Sequence, residues 1–313
     1  MHYTTLGRTG LRVSRVGLGA GGPSRLGRSR DATLDDMDRL IGRALDLGVN
    51  FIDTARTYGT EDAIGRALQA RGAADVIVAT KAWMYDMADG ENPERKPDTD
   101  PRLVIDSVEG SLRDLRRDRI DLFQYHGVGP AALDIFVERL LPVAERLREQ
   151  GKVRFIGLTE QPMFDYPQQM ATPACASGLW DSVMVQYGIF DQAGDTCAFP
   201  PARANGAGVI CMSAARGALV SEEALARTLA KLDAGTPDDL RFLLGEPPGT
   251  WAELAFRFAA ACDGIDVVLV GTGDPGHLEA GARAITGPPL PPEHRTWLRN
   301  RFGDCRGEAL WPE

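Results

Sequence analysis

The sequence predicts a (β/α)8 barrel, and three observations carry that prediction. Short apolar runs alternate with amphipathic stretches eight times along the 313 residues, no linker interrupts them, and ionisable side chains fall at the ends of the runs. In sheets built of repeated strand–helix units, ligands bind at the carboxyl ends of the strands. A single barrel domain over residues 1–313 is the expected organisation.

The elements follow in order. Tyr3–Thr5 and Leu11–Val13 flank the turn-rich Gly7-Arg8-Thr9-Gly10 and read as a hairpin suited to plug the barrel bottom. Expected strands are Val16–Gly19, Phe51–Asp53, Val76–Thr80, Ile120–Tyr125, Phe155–Thr159, Ser182–Gln186, Gly208–Met212 and Asp266–Val270. Expected helices are Leu34–Leu47, Glu61–Ala70, Arg102–Arg116, Ala132–Gln150, Asp165–Ser177, a weak one near Pro200–Asn205, Trp251–Cys262 and Pro275–Ile285. Gly48, Gly72 and Gly151 stand where left-handed helix ends are expected. Two segments break the rhythm, Asp86–Pro101 and Gly217–Thr250, and both should emerge beside the ionisable residues as substrate-binding loops.

Composition narrows the partners. The net charge of -9 offers no basic surplus for phosphates, which argues against nucleic acid or an anionic membrane. Five cysteines form no CxxC pair and are odd in number, which fits free thiols in a reducing cytosol. The first residues lack an apolar signal core, and no apolar stretch is long enough for a membrane span. A cytoplasmic protein acting on small molecules is expected; the oligomeric state is not legible.

Asp53, Tyr58, Lys81 and His126 lie at or just beyond the ends of the second, third and fourth expected strands. A phenol titrates near ~10, so Tyr58 needs a cation to shuttle protons near neutrality. Lys81 is expected to supply it and lower the tyrosine pKa, Asp53 to hold the buried ammonium, and His126 to orient a carbonyl oxygen or pass a proton. Such a unit suits proton transfer to a carbonyl as hydride arrives, or the reverse with an alcohol. Protein side chains carry no hydride, so a nicotinamide cofactor is implied.

The opening Leu6-Gly7-Arg8-Thr9-Gly10-Leu11-Arg12-Val13-Ser14, the run Gly48-Val49-Asn50-Phe51-Ile52-Asp53-Thr54-Ala55-Arg56-Thr57-Tyr58-Gly59, Thr80-Lys81 and the His126 segment together resemble the aldo-keto reductase superfamily over nearly the whole chain. The resemblance implies an NAD(P)(H)-dependent oxidoreductase of an aldehyde, ketone, hemiacetal or secondary alcohol, with Tyr58 as general acid or base. It also implies cofactor contacts at Gly19, Ala20, Asp53, Thr159, Glu160, Gln186, Met212, Ser213, Ala214, Gly271, Thr272, Gly273, Asp274 and His277. Trp83, Met84 and Tyr85, with His126, would line the substrate pocket.

Several of these positions depart from the family's pattern. Thr159-Glu160 replaces the usual Ser-Asn, and a glutamate has no amide donor unless protonated. Met212 stands where an aromatic ring often stacks on nicotinamide. Around Gly271–Gly281 no Arg or Lys is available for a 2′-phosphate, and Asp274 would repel one. NAD(H) is therefore favoured, which tilts the reaction toward oxidation, unless Arg283 reaches round.

Other readings fit less well. Gly17-Leu18-Gly19-Ala20-Gly21-Gly22 satisfies a GxGxxG pattern, but a charged, glycine-containing stretch follows it instead of a helix. None of the four histidines is paired at metal-ligand spacing, and no GxSxG is present. The alternative of another class is a redox-sensing or scaffold protein that binds the nucleotide without turnover.

Overall fold

A computed structural model describes residues 1–86, 95–246 and 248–310. Parts of the expected loops Asp86–Pro101 and Gly217–Thr250, and the last three residues, lie outside the described residues.

Eight parallel strands close into a barrel: β3 (Val16–Gly19), β4 (Phe51–Asp53), β5 (Ile77–Trp83), β6 (Ile120–Val128), β7 (Val153–Glu160), β8 (Ser182–Gln186), β9 (Gly208–Met212) and β10 (Val267–Gly271). The last strand returns to the first, with Val268 opposite Val16 and Gly271 opposite Gly19. The expected (β/α)8 architecture is what forms. Strands alternate their side chains, so one row of each faces the barrel axis and the other faces the helices. Phe51, Ile77, Ala79, Leu122, Met184, Ile210 and Val267 form the inner apolar layer.

The N-terminal hairpin, β1 (Tyr3–Thr5) paired antiparallel with β2 (Arg12–Ser14), closes the bottom. Leu6, Leu11 and Val13 are buried against that inner layer, each contributing ~1.5–3 kcal/mol on burial. Asp266 Oδ2 accepts from Gly7 N at 3.1 Å and Val209 N at 3.0 Å, which ties the plug to the barrel wall. The plug leaves the opposite, carboxyl-end face open for chemistry.

The helices α1 (Leu34–Asp46), α2 (Glu61–Ala70) and α3 (Pro101–Leu115) begin at capping residues or acidic first turns, as for α1, where Thr33 and Asp36 form a capping box. A short α4 (Leu133–Ile135) passes through a π turn at Phe136–Leu140 into α5 (Leu141–Glu149). Pro142 has no N–H for the preceding turn, which accounts for the slipped hydrogen bonds there.

The sixth helix is shorter than expected: α6 spans Ala171–Ser177. Asp165 caps a turn instead, accepting from Gln169 N at 2.6 Å and Met170 N at 2.8 Å, and Gln168 takes a left-handed φ of 53° that no helix continues through. α7 (Phe199–Asn205), α9 (Trp251–Ala260) and α10 (Pro275–Thr286) match expectation to within two residues. Two helices were not foreseen, α8 (Glu222–Lys231) inside the expected Gly217–Thr250 loop and α11 (Pro292–Phe302) near the C-terminus. No helix among the described residues is long and apolar enough to cross a membrane. None of the five cysteines is in a disulfide.

Candidate active site

Above the inner apolar layer, the next inward side chains are polar. Asp53 ends β4, whereas Lys81 and His126 lie inside β5 and β6, two residues before their ends, because both strands run longer than expected. Lys81 Nζ donates to both Asp53 oxygens at 2.6 and 2.7 Å and to the Thr54 carbonyl at 2.8 Å. All three donors of the buried ammonium are thus satisfied, as a charge in that environment requires. Gln124, inward on β6, reaches Asp53 Oδ1 at 3.4 Å.

Tyr58 sits in a 3-10 turn, Arg56–Tyr58, that follows β4. Arg56 anchors the turn to Glu61 at 2.9 Å and to Asp114, and Arg28 donates to the Gly59 carbonyl. Gly21 lies flat on the tyrosine ring: a Cβ there would fall 2.2 Å from Tyr58 Cε2. Only glycine allows that approach, so this residue of the GxGxxG-like run serves the tyrosine.

The Tyr58 oxygen is 3.3 Å from His126 Nε2, and Lys81 Nζ is 5.1 Å from the centre of the phenol ring. Edge-on ring contacts continue the wall, from Tyr58 to His126 at 5.5 Å, to Trp83 at 5.2 Å, and from Trp83 to Tyr85 at 5.4 Å. Arg95 is buried against both, 4.3 Å from the Trp83 ring and 4.2 Å from the Tyr85 ring. Trp83, Met84 and Tyr85 line a cavity of about 440 Å³ together with Asp86, Lys96 and Asp98.

The electrostatics correct one expectation. Lys81 does pull the Tyr58 pKa down, but burial pushes it up more strongly and Asp53 adds to the rise, so the phenol stays above its ordinary value. At Lys81 burial opposes the charge, yet Asp53 and Tyr58 overcome it and hold the ammonium above its usual value. Burial raises Asp53, with Lys81 and Gln124 pulling the other way. Burial, with help from Lys81 and Arg95, drives His126 down to about 3, so its imidazole is neutral.

The histidine shift has a stability consequence. Its folded pKa lies below the unfolded value of ~6.5, so this contribution is full above that pH and is lost as pH falls toward the folded value. Urea midpoints measured from neutral to acid pH should show an acid slope reduced in His126→Gln by up to ~1.4 kcal/mol per pH unit. An unchanged slope would contradict a neutral His126 in the folded protein.

The remaining residues named from sequence all stand on the same face. Gly19 ends β3, and Ala20 N donates to the Asp53 carbonyl at 2.8 Å. Thr159 and Glu160 end β7; Thr159 Oγ1 accepts from Gly127 N at 2.8 Å and Glu160 accepts from Gln186 N. Gln186 ends β8 with its side chain turned to Asp191. Met212 ends β9 on the inner layer, Ser213 follows in a left-handed conformation at φ 63°, and Ala214 is buried. Gly271 ends β10, followed by Thr272 and by Gly273, whose backbone lies so close to Gly27 that a Cβ would meet its Cα at 2.4 Å.

Asp274 caps α10, accepting from Gly276 N at 2.7 Å and His277 N at 3.1 Å. These donors hold the Asp274 carboxyl below its usual value, so its charge persists. His277 is exposed beside it. Arg283 does not reach round: it points to Glu253 on α9, 4.0 Å away. Arg43 of α1 is engaged by Glu279 at 2.7 Å.

Sequence reasoning passed over four groups. Gln124 shares the inward row with Leu122 and His126, so its period of two marked it. Gly21 was within a noticed motif. Arg95 and Arg216 lie in loops with no such periodicity; Arg216 stands near enough to Tyr58 for its charge to lower that pKa.

A sequence model of the aldo/keto reductase family matches residues 15–296. L-galactose dehydrogenase of Arabidopsis thaliana is 32% identical over 234 residues, which is 70% of this chain and 66% of that protein. D-threo-aldose 1-dehydrogenase of a Pseudomonas species is 26% identical over 284 residues, covering 83% of this chain and 80% of its own length. An aldo-keto reductase from Bacillus halodurans, solved in its holo form, superposes with a TM-score of 0.71 at 23% identity, over 100% of this chain and 99% of that one. The protein thus belongs to the aldo/keto reductase family, whose members among its relatives are oxidoreductases.

Proposed function

We propose that this chain is an NAD(H)-preferring oxidoreductase that interconverts an alcohol or hemiacetal and its carbonyl, with Tyr58 as the proton-transfer group. The observation that carries the reading is the phenol oxygen 3.3 Å from a neutral imidazole, with a fully bonded ammonium beneath its ring. A nicotinamide, when bound, supplies the hydride donor or acceptor. The residues at hand fit it, since Glu160 and Gln186 keep buried polar atoms without partners at the end of the barrel where its amide would lie.

In the reducing direction, Tyr58 gives its phenol proton to the carbonyl oxygen, and Lys81 stabilises the phenolate left behind. In the oxidising direction, the phenolate takes the hydroxyl proton. His126, being neutral, directs the substrate oxygen toward Tyr58 without adding a competing charge. Asp53 keeps Lys81 in place, and Gln124 restrains Asp53. Two relatives bear the names of sugar dehydrogenases, and a cyclic aldose is the substrate class we favour.

The cofactor preference rests on Asp274, which fills the N-terminus of α10 with a persistent negative charge, and on the engagement of Arg43 and Arg283 elsewhere. A 2′-phosphate there meets the Asp274 charge, and neither Arg43 nor Arg283 is directed at it. Steady-state kinetics with both cofactors on a panel of aldoses, aldehydes and secondary alcohols should give a kcat/KM about tenfold or more higher for NAD(H), a gap of ~1.4 kcal/mol. Asp274→Ser, which keeps a capping oxygen, should narrow the gap. A higher kcat/KM with NADP(H) would overturn the preference.

A further inference from the structure

Glu160 and Gln186 end neighbouring strands and are joined by the Gln186 N–H, which donates to Glu160 Oε1. Both side chains are buried, at 3% and 1% exposure. Gln186 Nε2 donates to Asp191 Oδ2 at 2.8 Å, and this fixes which way the amide faces, because the opposite orientation would set two acceptors together. Gln186 Oε1 is thereby left buried without a hydrogen-bond partner, and Glu160 Oε2 is left in the same condition. Buried polar atoms are rarely orphaned, so two on adjacent strand ends point to a ligand that completes them.

The groups acting on Glu160 are acidic. Burial, then repulsion from Asp191 and Asp165, pushes its carboxyl well above the ordinary range. Cys175 of α6 and Cys211 of β9, on the flanking elements, are pushed up chiefly by their burial, with a smaller contribution from the charge Glu160 would carry. Arg306 bridges to Asp191 through its backbone. With one oxygen accepting from a backbone N–H, the neutral acid has its proton on the other, orphaned oxygen.

We propose, resting on the nicotinamide reading above, that Glu160 meets the cofactor as a neutral carboxylic acid, its Oε2–H donating to the carboxamide oxygen while Gln186 Oε1 accepts from the carboxamide nitrogen. One donor and one acceptor, both buried and both otherwise idle, match the two halves of a primary amide. The acid takes over the task an asparagine side chain performs, but it can be switched off. Once ionised it turns an acceptor toward the carboxamide oxygen and loses the bond. Glutamine at this position keeps a donor and cannot ionise.

The test is NADH binding by fluorescence titration across a pH series, with wild type, Glu160→Gln and Glu160→Ala. Wild-type Kd should rise about tenfold through a single ionisation as pH increases, the worth of one buried hydrogen bond. Glu160→Gln should stay within about twofold of the low-pH wild type at every pH, and Glu160→Ala should bind about tenfold more weakly throughout. Infrared difference spectra should carry a protonated-carboxyl C=O band that shifts when NADH binds and is missing from Glu160→Gln. If the alanine variant does not fold, the wild type and the glutamine variant decide. A pH-independent wild-type Kd, the same drift in Glu160→Gln, or absence of the carboxyl band would overturn the proposal while leaving the oxidoreductase reading intact. Failure of the wild type to bind NADH at any pH would bring down both.

Discussion

Tyr58→Phe should lower kcat by about 10³-fold in both directions while leaving the affinity for NAD(H) within about twofold. The substitution removes one oxygen and keeps the ring that packs under Gly21 and over Lys81, so the barrel mouth retains its shape. What disappears is the phenol proton that, in the proposed mechanism, Tyr58 exchanges with the substrate oxygen beside a neutral histidine. His126 does not take over, because burial holds it unprotonated down to about pH 3. Parallel measurement of steady-state turnover and cofactor fluorescence separates the two effects. A variant retaining a tenth or more of wild-type kcat would remove Tyr58 from the proton path.

Lys81→Met should both abolish turnover and cost about 3–5 kcal/mol of stability, lowering the melting temperature by roughly 10 °C. The ammonium is 1% exposed and its Asp53 partner 4%, so removing it strands a carboxylate that water cannot reach. The double variant Asp53→Leu/Lys81→Met removes both charges and should recover most of the stability with none of the activity, because a buried ion pair is worth little against apolar side chains of similar size. Thermal and urea denaturation of wild type, Asp53→Leu, Lys81→Met and the double variant complete the cycle. Equal stability loss in the single and double variants would mean that the stranded charge is not the cause.

Much of this was legible in the sequence for identifiable reasons. The strands show because β-branched and aromatic residues cluster in short runs, and the eight barrel strands fall where those runs lie. β5 and β6 extend past the expected ends because Lys81 and His126 are inward residues of the strands themselves, polar where a strand reading expects apolar. α8 was hidden by its setting: Leu225 and Leu229 give a short apolar stripe in a segment bounded by Gly217 and Gly235. α11 buries only Leu298 and Phe302 among charged and polar neighbours such as Glu293, Arg295, Arg299 and Arg301, so no amphipathic pattern announces it.

The candidate site divides along the same line. Residue types and spacing single out Asp53, Tyr58, Lys81 and His126, because each chemistry requires that functional group. The sign of the Tyr58 shift was not legible, since it is decided by burial, a property of the folded barrel. Arg283 looked able to reach the adenosine end from its place on α10, yet its choice of Glu253 depends on how α9 packs beside it. Glu160 was visible as an odd residue, but the two orphaned atoms that give it a purpose exist only in the folded barrel.

The most direct measurement of the central claim is single-turnover absorbance at the NADH band across a pH series, run with carbonyl and NADH in one direction and with alcohol or aldose and NAD in the other. The account predicts reduction that stays constant through neutral pH and is lost as the phenol ionises, above the ordinary ~10 of a tyrosine, with oxidation rising through the same ionisation and both vanishing in Tyr58→Phe. Cofactor binding with no absorbance change on any substrate, the behaviour of a nucleotide-binding sensor or scaffold, would contradict it.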